Sequence, residues 1–356
     1  MAVSKDFFKT VNDVAEEKGL TKEQVLDAFT QGMIAGCKKA HDVRSCVVEL
    51  NEEKNSIIVK TEKLVVESYS LDADKNYTQI LLEDAREINK RVKVGDVLRQ
   101  EINPKDFGLY AVRDFKNRLN EVLTKYQKES LYNYFKELEH KMVVARVTDI
   151  MPDAYRIDLQ KDTTLLPKKE TLPKDKFYTG ESIKVYISTV EMKPKGPKVY
   201  VTRTHPDLVV KLLEDLIPEI KDGTIEIMGI SRDPGDRSKI GVKSNDPKVD
   251  AIGACVGEGG SRIREIVRSL SDEKIDLFKW SDNERELIAN ALQPAEVIAV
   301  TSVNPREKTA LAIVKDDQLS LAIGKLGQNV KLAVQATGWS IDIKSETMAE
   351  NAGILY

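Results

Sequence analysis

The sequence predicts a multidomain α+β protein with a mixed α/β N-terminal domain, a long connecting helix, a small β-barrel and two copies of one compact module. Three observations lead to this prediction. The length of 356 residues is enough for two to four domains. The spacing of apolar residues changes from helical to short strands near Lys141,. A glycine motif then recurs in the same surroundings after 67 residues, from Gly257 to Gly324,.

Composition excludes several classes of protein. Hydrophobic residues make up 41% of the chain, which is ordinary for folded modules and too many for a disordered chain. The 55 Lys and Arg residues nearly balance the 58 Asp and Glu residues, so the total charge does not by itself indicate a nucleic-acid partner. No window approaches the ~18 apolar residues of a membrane span, and the first ten residues lack the apolar stretch of a signal peptide. We therefore expect no membrane association.

The cysteines and histidines give no pattern for metal or catalysis. Cys37, Cys46 and Cys255 are too few and too scattered for a disulfide framework or a four-thiolate zinc site, which favours a reducing cytoplasm. Cys255 lies in an apolar helix and is expected to be a small core residue rather than a nucleophile. We expect no catalytic residue, no metal and no cofactor.

The first third of the chain is predicted to form helices followed by strands. Ser4 is predicted to cap a first helix that Gly19 ends,. The run Thr21-Lys22-Glu23-Gln24 has the pattern of a capping box and predicts the start of a second helix,. The next predicted elements are a hairpin over 45–51 and 56–66, a strand over 97–102 and one long amphipathic helix over 106–138,.

A small closed barrel is predicted between residues 136 and 205, where the net charge is +4,. Aromatic residues interleave with the basic ones, a composition that suits stacked bases and held phosphates. Tyr155 and Phe177 are the best candidates for base stacking, with core packing as the alternative. The predicted strands are 143–147, 155–159, 183–187 and 199–203.

The most informative feature is an internal repeat of the order α-β-β-α-α-β. Its two copies carry the motif [IV]-G-x-x-G-x-x-[IV] between two helices, at Val256–Ile263 and at Ile323–Val330. The helix before the first motif is predicted to open at Asp246-Pro247, and the helix before the second at Asp316-Asp317,. The other predicted elements are leading helices 206–217 and 282–292, and strands 224–230, 239–243, 274–280, 296–303, 309–315 and 339–345.

This order with a helix–GxxG–helix corner is that of the type II K-homology (KH) module. Glycines let a nucleic-acid backbone approach closely, and the next helix offers its N-terminal amides to a phosphate. The first loop carries Glu258, which would repel phosphate, and residues 206–356 have a net charge of −6, so we expect weak, salt-sensitive binding. The candidate RNA-binding residues are Gly257, Gly259, Gly260, Ser261, Arg262, Arg264, Gly324, Lys325, Leu326, Gly327, Gln328, Asn329, Lys331, Tyr155 and Phe177.

A barrel followed by two KH modules resembles the NusA family of bacterial transcription elongation, termination and antitermination factors, over essentially the whole chain. The resemblance implies an S1-type OB barrel, a continuous RNA-binding face formed with both KH modules, and an N-terminal domain that docks on RNA polymerase. The segments that carry it are Val199–Pro206, Pro218–Ile220, Ser231–Lys239, Ile252–Gly257 and Leu321–Val330.

The resemblance also implies partners and domain bounds. The partners would be RNA polymerase, nascent single-stranded RNA, other Nus factors and a small-subunit ribosomal protein, bound by a cytoplasmic monomer that modulates pausing, intrinsic termination and antitermination. Leu109 stands where the family leads us to expect a basic residue, and we expect no acidic C-terminal repeats. The expected domains are 1–135 (polymerase-binding), 136–205 (barrel), 206–280 (first KH), 281–347 (second KH) and a tail over 348–356.

Two other classes of function are alternatives to this one. A general single-stranded RNA-binding or ribosome-associated chaperone would use the same barrel and KH modules without polymerase. An RNA-degrading enzyme would need a larger catalytic domain than the first ~135 residues provide. Gly324-Lys325-Leu326 also lacks the hydroxyl residue of a P-loop,. We therefore expect a binding protein and not an enzyme.

Overall fold

The computed structural model describes residues 7–70 and 76–356. Within these ranges the chain forms two compact units, one of residues 7–70, 76–134 and 192–197 and one of residues 135–191 and 198–356. Within the described ranges, no helix combines the length and apolarity needed to cross a membrane. The predicted cap Ser4 lies outside the described residues.

In the first unit, helices pack on a mixed sheet whose central strand is β2. This strand pairs with β1 and β4 in antiparallel fashion and with β3 in parallel. The predicted hairpin, the strand over 97–102 and the long helix are confirmed, while β3 and α3 were not predicted. The elements are α1 Phe7–Lys18, α2 Lys22–His41, β1 Ser45–Asn51, β2 Ser56–Val66, β3 Thr78–Leu81, α3 Leu82–Ile88, β4 Val97–Ile102 and α4 Leu109–Glu137.

The start of α2 confirms the predicted capping box: the Gln24 amide donates to the Thr21 hydroxyl at 3.2 Å and the Thr21 amide donates to the Gln24 side chain at 2.9 Å,. At its other end, Cys37 is bonded to Cys46 as a disulfide, a pairing that the sequence analysis did not predict. The short turn from α2 to β1 directs both side chains into the same apolar core, with Met33 and Val59.

The second unit begins with the barrel, in which the strand order is β7-β6-β5-β8-β9. The barrel is nearly closed rather than closed: β7 and β9 end this order, and the Thr164 hydroxyl donates to the Val199 carbonyl oxygen at 2.7 Å. Strand β7 was not predicted, because its sequence TTLLP does not alternate. The strands are β5 Met142–Ile150, β6 Ala154–Asp158, β7 Thr163–Pro167, β8 Ser182–Lys193 and β9 Gly196–Thr202.

The first repeat has the predicted order except for an additional short helix over Pro218–Lys221, and its β10 is antiparallel and its β12 parallel to the central strand β11. The predicted start of the helix before its GxxG loop was wrong. Asp250 caps that helix by accepting from the amides of Ile252 and Gly253, so it begins at Ala251 rather than at Asp246-Pro247,. The elements are α5 Pro206–Leu216, α6 Pro218–Lys221, β10 Ile225–Asp233, β11 Arg237–Ser244, α7 Ala251–Val256, α8 Ser261–Ser269 and β12 Lys274–Lys279.

The second repeat has the same sheet, with β13 antiparallel and β15 parallel to β14. A short final helix was not predicted; its Ala349 is fully buried beside Leu311 and Ile313. The elements are α9 Glu284–Ala291, β13 Val297–Asn304, β14 Thr309–Val314, α10 Leu319–Ile323, α11 Gln328–Thr337, β15 Ser340–Ser345 and α12 Glu346–Asn351. The multidomain α+β fold with a barrel and a repeated α-β-β-α-α-β module is therefore confirmed.

Candidate nucleic-acid interface

The second GxxG loop has a backbone that requires glycine. Gly324 has φ 77° and ψ 170°, a region that is essentially restricted to glycine. A Cβ atom placed on Gly324 would lie 2.7 Å from the Asn329 amide nitrogen, so a side chain there has no room. Gly327 is the N-cap of α11, and its backbone adopts the left-handed conformation at φ 74° and ψ 11°. Because glycine has no side chain to accept from the first amides of α11, these can face a phosphate.

The first loop has nearly the same conformation at each position. Gly257 has φ 74° and ψ 172°, Gly259 φ 55° and ψ 21°, and Gly260 φ 77° and ψ 19°. The equivalent of Gly259 in the second loop is Leu326, at φ 53° and ψ 29°. Two loops whose equivalent positions are 67 residues apart therefore share one backbone geometry, which is the geometry of a helix–GxxG–helix corner.

Some side chains at the second loop are exposed, whereas others are hydrogen-bonded within the protein. Lys325 and Lys331 are exposed, and Leu326 is 98% exposed. The backbone of Leu326 is left-handed, a conformation that costs a residue with a side chain about 1 kcal/mol or more. Leu326 and Lys325 therefore offer a ligand at the N-terminus of α11 one apolar and one cationic contact.

Asn329 and Gln328, which the sequence predicts as a polar lining for RNA, are hydrogen-bonded to other groups of the protein. Asn329 is 6% exposed, and its amide group donates to the carbonyl oxygens of Leu292 at 3.0 Å and Ala322 at 2.9 Å. Its Oδ1 atom is buried and finds no partner in the described part of the chain. Gln328 donates to Asp233 and Asp236 at 2.8 and 2.6 Å. Both side chains therefore hold the loop in place.

At the first loop, Glu258, Ser261 and Arg264 are exposed, whereas Arg262 is engaged. The Arg262 guanidinium donates to Glu219 at 2.9 Å and to the Ala254 carbonyl oxygen at 2.7 Å. A phosphate would have to displace these partners. Arg264 is thus the better placed of the two arginines for contact with a ligand.

In the barrel, burial argues against base stacking on the two predicted aromatic residues. Tyr155 and Phe177 are 8% and 9% exposed, and their rings pack edge to face with centroids 5.2 Å apart,. The Arg203 guanidinium lies over Phe177 at 5.2 Å and is held by Asp175. The next residue, Tyr178, is 72% exposed. Lys174 and Lys176 are exposed as well, and the spacing of Tyr178 from these two lysines is the signal that could have singled it out from the sequence.

Cys255 lies buried in α7, directly before the first loop. Burial, followed by the nearby Glu219 carboxylate, raises the pKa of the Cys255 thiol to about 11, so the thiol stays protonated and unreactive at neutral pH. Among the described residues, no group of three or more His, Cys, Asp or Glu side chains could hold a metal ion.

A barrel followed by two GxxG corners on α-β-β-α-α-β modules defines a protein of the tandem-KH class. Comparison with known families gives matches to the NusA N-terminal domain over residues 6–129, the NusA-like first KH domain over 203–280 and the NusA-like second KH domain over 284–351. The chain belongs to the NusA family, and the resemblance found in its sequence is confirmed.

Similar curated proteins share the name transcription termination/antitermination protein NusA. The one from Halalkalibacterium halodurans is 41% identical over 99% of this chain and 91% of its own length. The one from Bacillus subtilis is 41% identical over 99% of this chain and 94% of its own. The one from Thermus thermophilus is 34% identical over 98% and 92%. The similarity thus extends over nearly the whole of each protein.

Proposed function

We propose that this chain is a transcription elongation factor that binds RNA polymerase and nascent single-stranded RNA, and so modulates pausing, intrinsic termination and antitermination. The observation that carries the proposal is the pair of GxxG loops with matching backbone angles, Gly257–Gly260 and Gly324–Gly327. We further propose the domain bounds 1–135, 136–205, 206–280, 281–347 and 348–356 for these activities.

The proposed RNA contacts follow from exposure at the loops. In the second module they are the first amides of α11 with Lys325, Leu326 and Lys331, and in the first module Gly259, Gly260, Ser261 and Arg264. In the barrel, Tyr178 with the exposed Lys174 and Lys176 replaces the buried pair Tyr155 and Phe177. These five exposed cations, three at the two loops and two in the barrel, support modest, salt-dependent affinity rather than tight capture,.

The proposed polymerase contact lies in the first unit. At the start of α4, Leu109 is 82% and Tyr110 64% exposed, and exposed apolar groups that lie together are typical of a protein interface. Other Nus factors and a small-subunit ribosomal protein are proposed as further partners of a cytoplasmic monomer. Because the curated relatives are named as transcription proteins, we propose no catalytic activity.

The test is the lifetime of a hairpin-stabilised pause, measured with bacterial core RNA polymerase from the same source. The wild-type protein should lengthen the pause. The double variant Leu109→Ser, Tyr110→Ser should lose this effect, whereas the control Val94→Ser, at another exposed apolar position of the same unit, should keep it. A wild-type protein that binds RNA and leaves the pause unchanged would favour the alternative, a general RNA-binding chaperone.

A further inference from the structure

The second KH module rests on the sheet of the first through helix α11. Gly229 of β10 lies so close to α11 that a Cβ atom there would be 2.1 Å from the Ala336 carbonyl oxygen. The Ser231 hydroxyl donates to the Gln335 side chain at 2.7 Å. The helix that begins at the second GxxG loop therefore runs across the first module.

The N-terminal end of α11 is tied to the first module by Gln328. Its amide nitrogen lies 2.8 Å from Asp233 and 2.6 Å from Asp236, the two carboxylates of the turn between β10 and β11. Carboxylates only accept hydrogen bonds, so the amide must direct its NH₂ group, with its two hydrogens, toward them. Such charge-assisted hydrogen bonds are about twice as strong as neutral ones.

The turn that bears these carboxylates is itself held in place. Glu273 is fully buried and accepts from the Gly235 amide at 2.8 Å and from the Ser238 hydroxyl at 2.6 Å. It also pairs with the buried Arg232 at 2.9 Å. Gln328 therefore binds a turn that is anchored to the core of the first module.

We propose that Gln328 is a positioning residue: with Asp233 and Asp236 it forms a clamp that fixes the second GxxG loop relative to the first KH module. The clamp rests on the proposed RNA-binding function and refines it, because it assigns Gln328 to the protein and not to the RNA. Each module holds about four nucleotides. A fixed spacing raises the effective concentration of the second loop for an RNA already bound to the first.

The charges of the clamp make this proposal testable. Asp233 and Asp236 place two negative charges beside the first turn of α11, where a phosphate is expected to bind. If they had no positioning role, their removal would strengthen RNA binding by relieving repulsion. If Gln328 contacted RNA, their removal would also release it for that contact.

The experiment compares three variants by fluorescence anisotropy with labelled random-sequence RNA pools of 12 and 5 nucleotides. The longer RNA can reach both modules and the shorter only one. Gln328→Ala and the double variant Asp233→Ala, Asp236→Ala should each weaken binding of the 12-nucleotide pool about fivefold. Binding of the 5-nucleotide pool should be no weaker than wild type in either variant. Asp233→Asn, Asp236→Asn keeps oxygen acceptors for Gln328 and should restore binding of the longer pool.

Lys331→Ala is the control for a direct contact and should weaken both pools. The proposal is overturned if Gln328→Ala also weakens both pools while the double alanine variant strengthens both, since that pattern identifies Gln328 as an RNA ligand.

A second measurement does not depend on RNA. Hydrogen exchange of the amides in residues 233–236 and in the first turn of α11 should be faster in Gln328→Ala than in wild type. Unchanged exchange would refute the clamp. If the wild-type protein bound neither RNA pool, the proposed function would fail, and hydrogen exchange would still decide whether the clamp exists.

Discussion

Replacing Gly327 by aspartate tests the phosphate site at the second loop with little disturbance of the fold. Among the described residues, no heavy atom beyond the adjoining residues lies within 4 Å of a Cβ atom built on Gly327, so the new side chain meets no neighbour. Gly324 would be a poor choice, because its Cβ would clash with Asn329. Gly338 provides a matched control at the other end of α11, with φ 72° and ψ 16° and equally open space.

The two variants should differ in stability in a known direction. Left-handed backbone costs each aspartate roughly 1 kcal/mol. The helix dipole then stabilises a carboxylate at the N-terminal Gly327 and destabilises one at the C-terminal Gly338, by about 0.3–1 kcal/mol each. Gly338→Asp should therefore have the lower free energy of unfolding, as measured by urea denaturation.

RNA affinity should show the opposite order. A carboxylate about 5 Å from a phosphate is repelled by about 0.8 kcal/mol in water and by about 3 kcal/mol at an effective dielectric constant of 20. Gly327→Asp should thus bind a 12-nucleotide RNA about 4- to 150-fold more weakly in an anisotropy titration, and Gly338→Asp should bind within twofold of wild type. Wild-type affinity in Gly327→Asp, or an equal loss in Gly338→Asp, would refute the phosphate site.

Three further predictions concern charge. Burial lowers the pKa of Lys239 to about 8, so between pH 8 and about 10.5 the unfolded chain binds more protons. The stability of wild type relative to Lys239→Met should then rise by up to about 3 kcal/mol across that range in urea denaturation; a constant difference would contradict the lowered pKa. Glu273→Gln should lower the free energy of unfolding by about 3–5 kcal/mol, because it leaves Arg232 buried without its ion pair,. Asp276→Asn breaks a partly exposed pair with Arg237 and should lower it by about 1 kcal/mol or less. Equal losses in the two variants would show that burial does not set the cost. Lys325→Ala should reduce the slope of log affinity against log salt by about 0.7, and an unchanged slope would mean that Lys325 meets no phosphate.

Patterns along the chain predicted most of the elements well. The capping box at Thr21 is confirmed. The ends of the strands on either side of each GxxG loop lie within three residues of their predicted positions. These signals depend on neighbours a few positions apart. The start of α7 was predicted wrongly because Asp246 and Asp250 are both able to cap a helix. The sequence does not show which of them does so, and in the structure it is Asp250.

The candidate site was predicted less completely than the fold. The sequence identified both loops, but it could not separate side chains that are free from those already engaged. Leu326 is free, while Arg262 and Asn329 have partners within the protein. Polarity and charge are the same in both situations, so residue type alone does not distinguish an RNA ligand from a structural hydrogen bond.

The sequence by itself determined that this protein has two KH modules, since glycine spacing and element order are properties of the chain alone. It also determined the family, through segments spread over most of the length. Tertiary structure alone decided that Tyr155 and Phe177 are buried and that Gln328 is hydrogen-bonded to Asp233 and Asp236. The physical reason is separation: Gln328 meets carboxylates 95 and 92 positions away in the sequence, and only the packing of one module on the other brings those groups together.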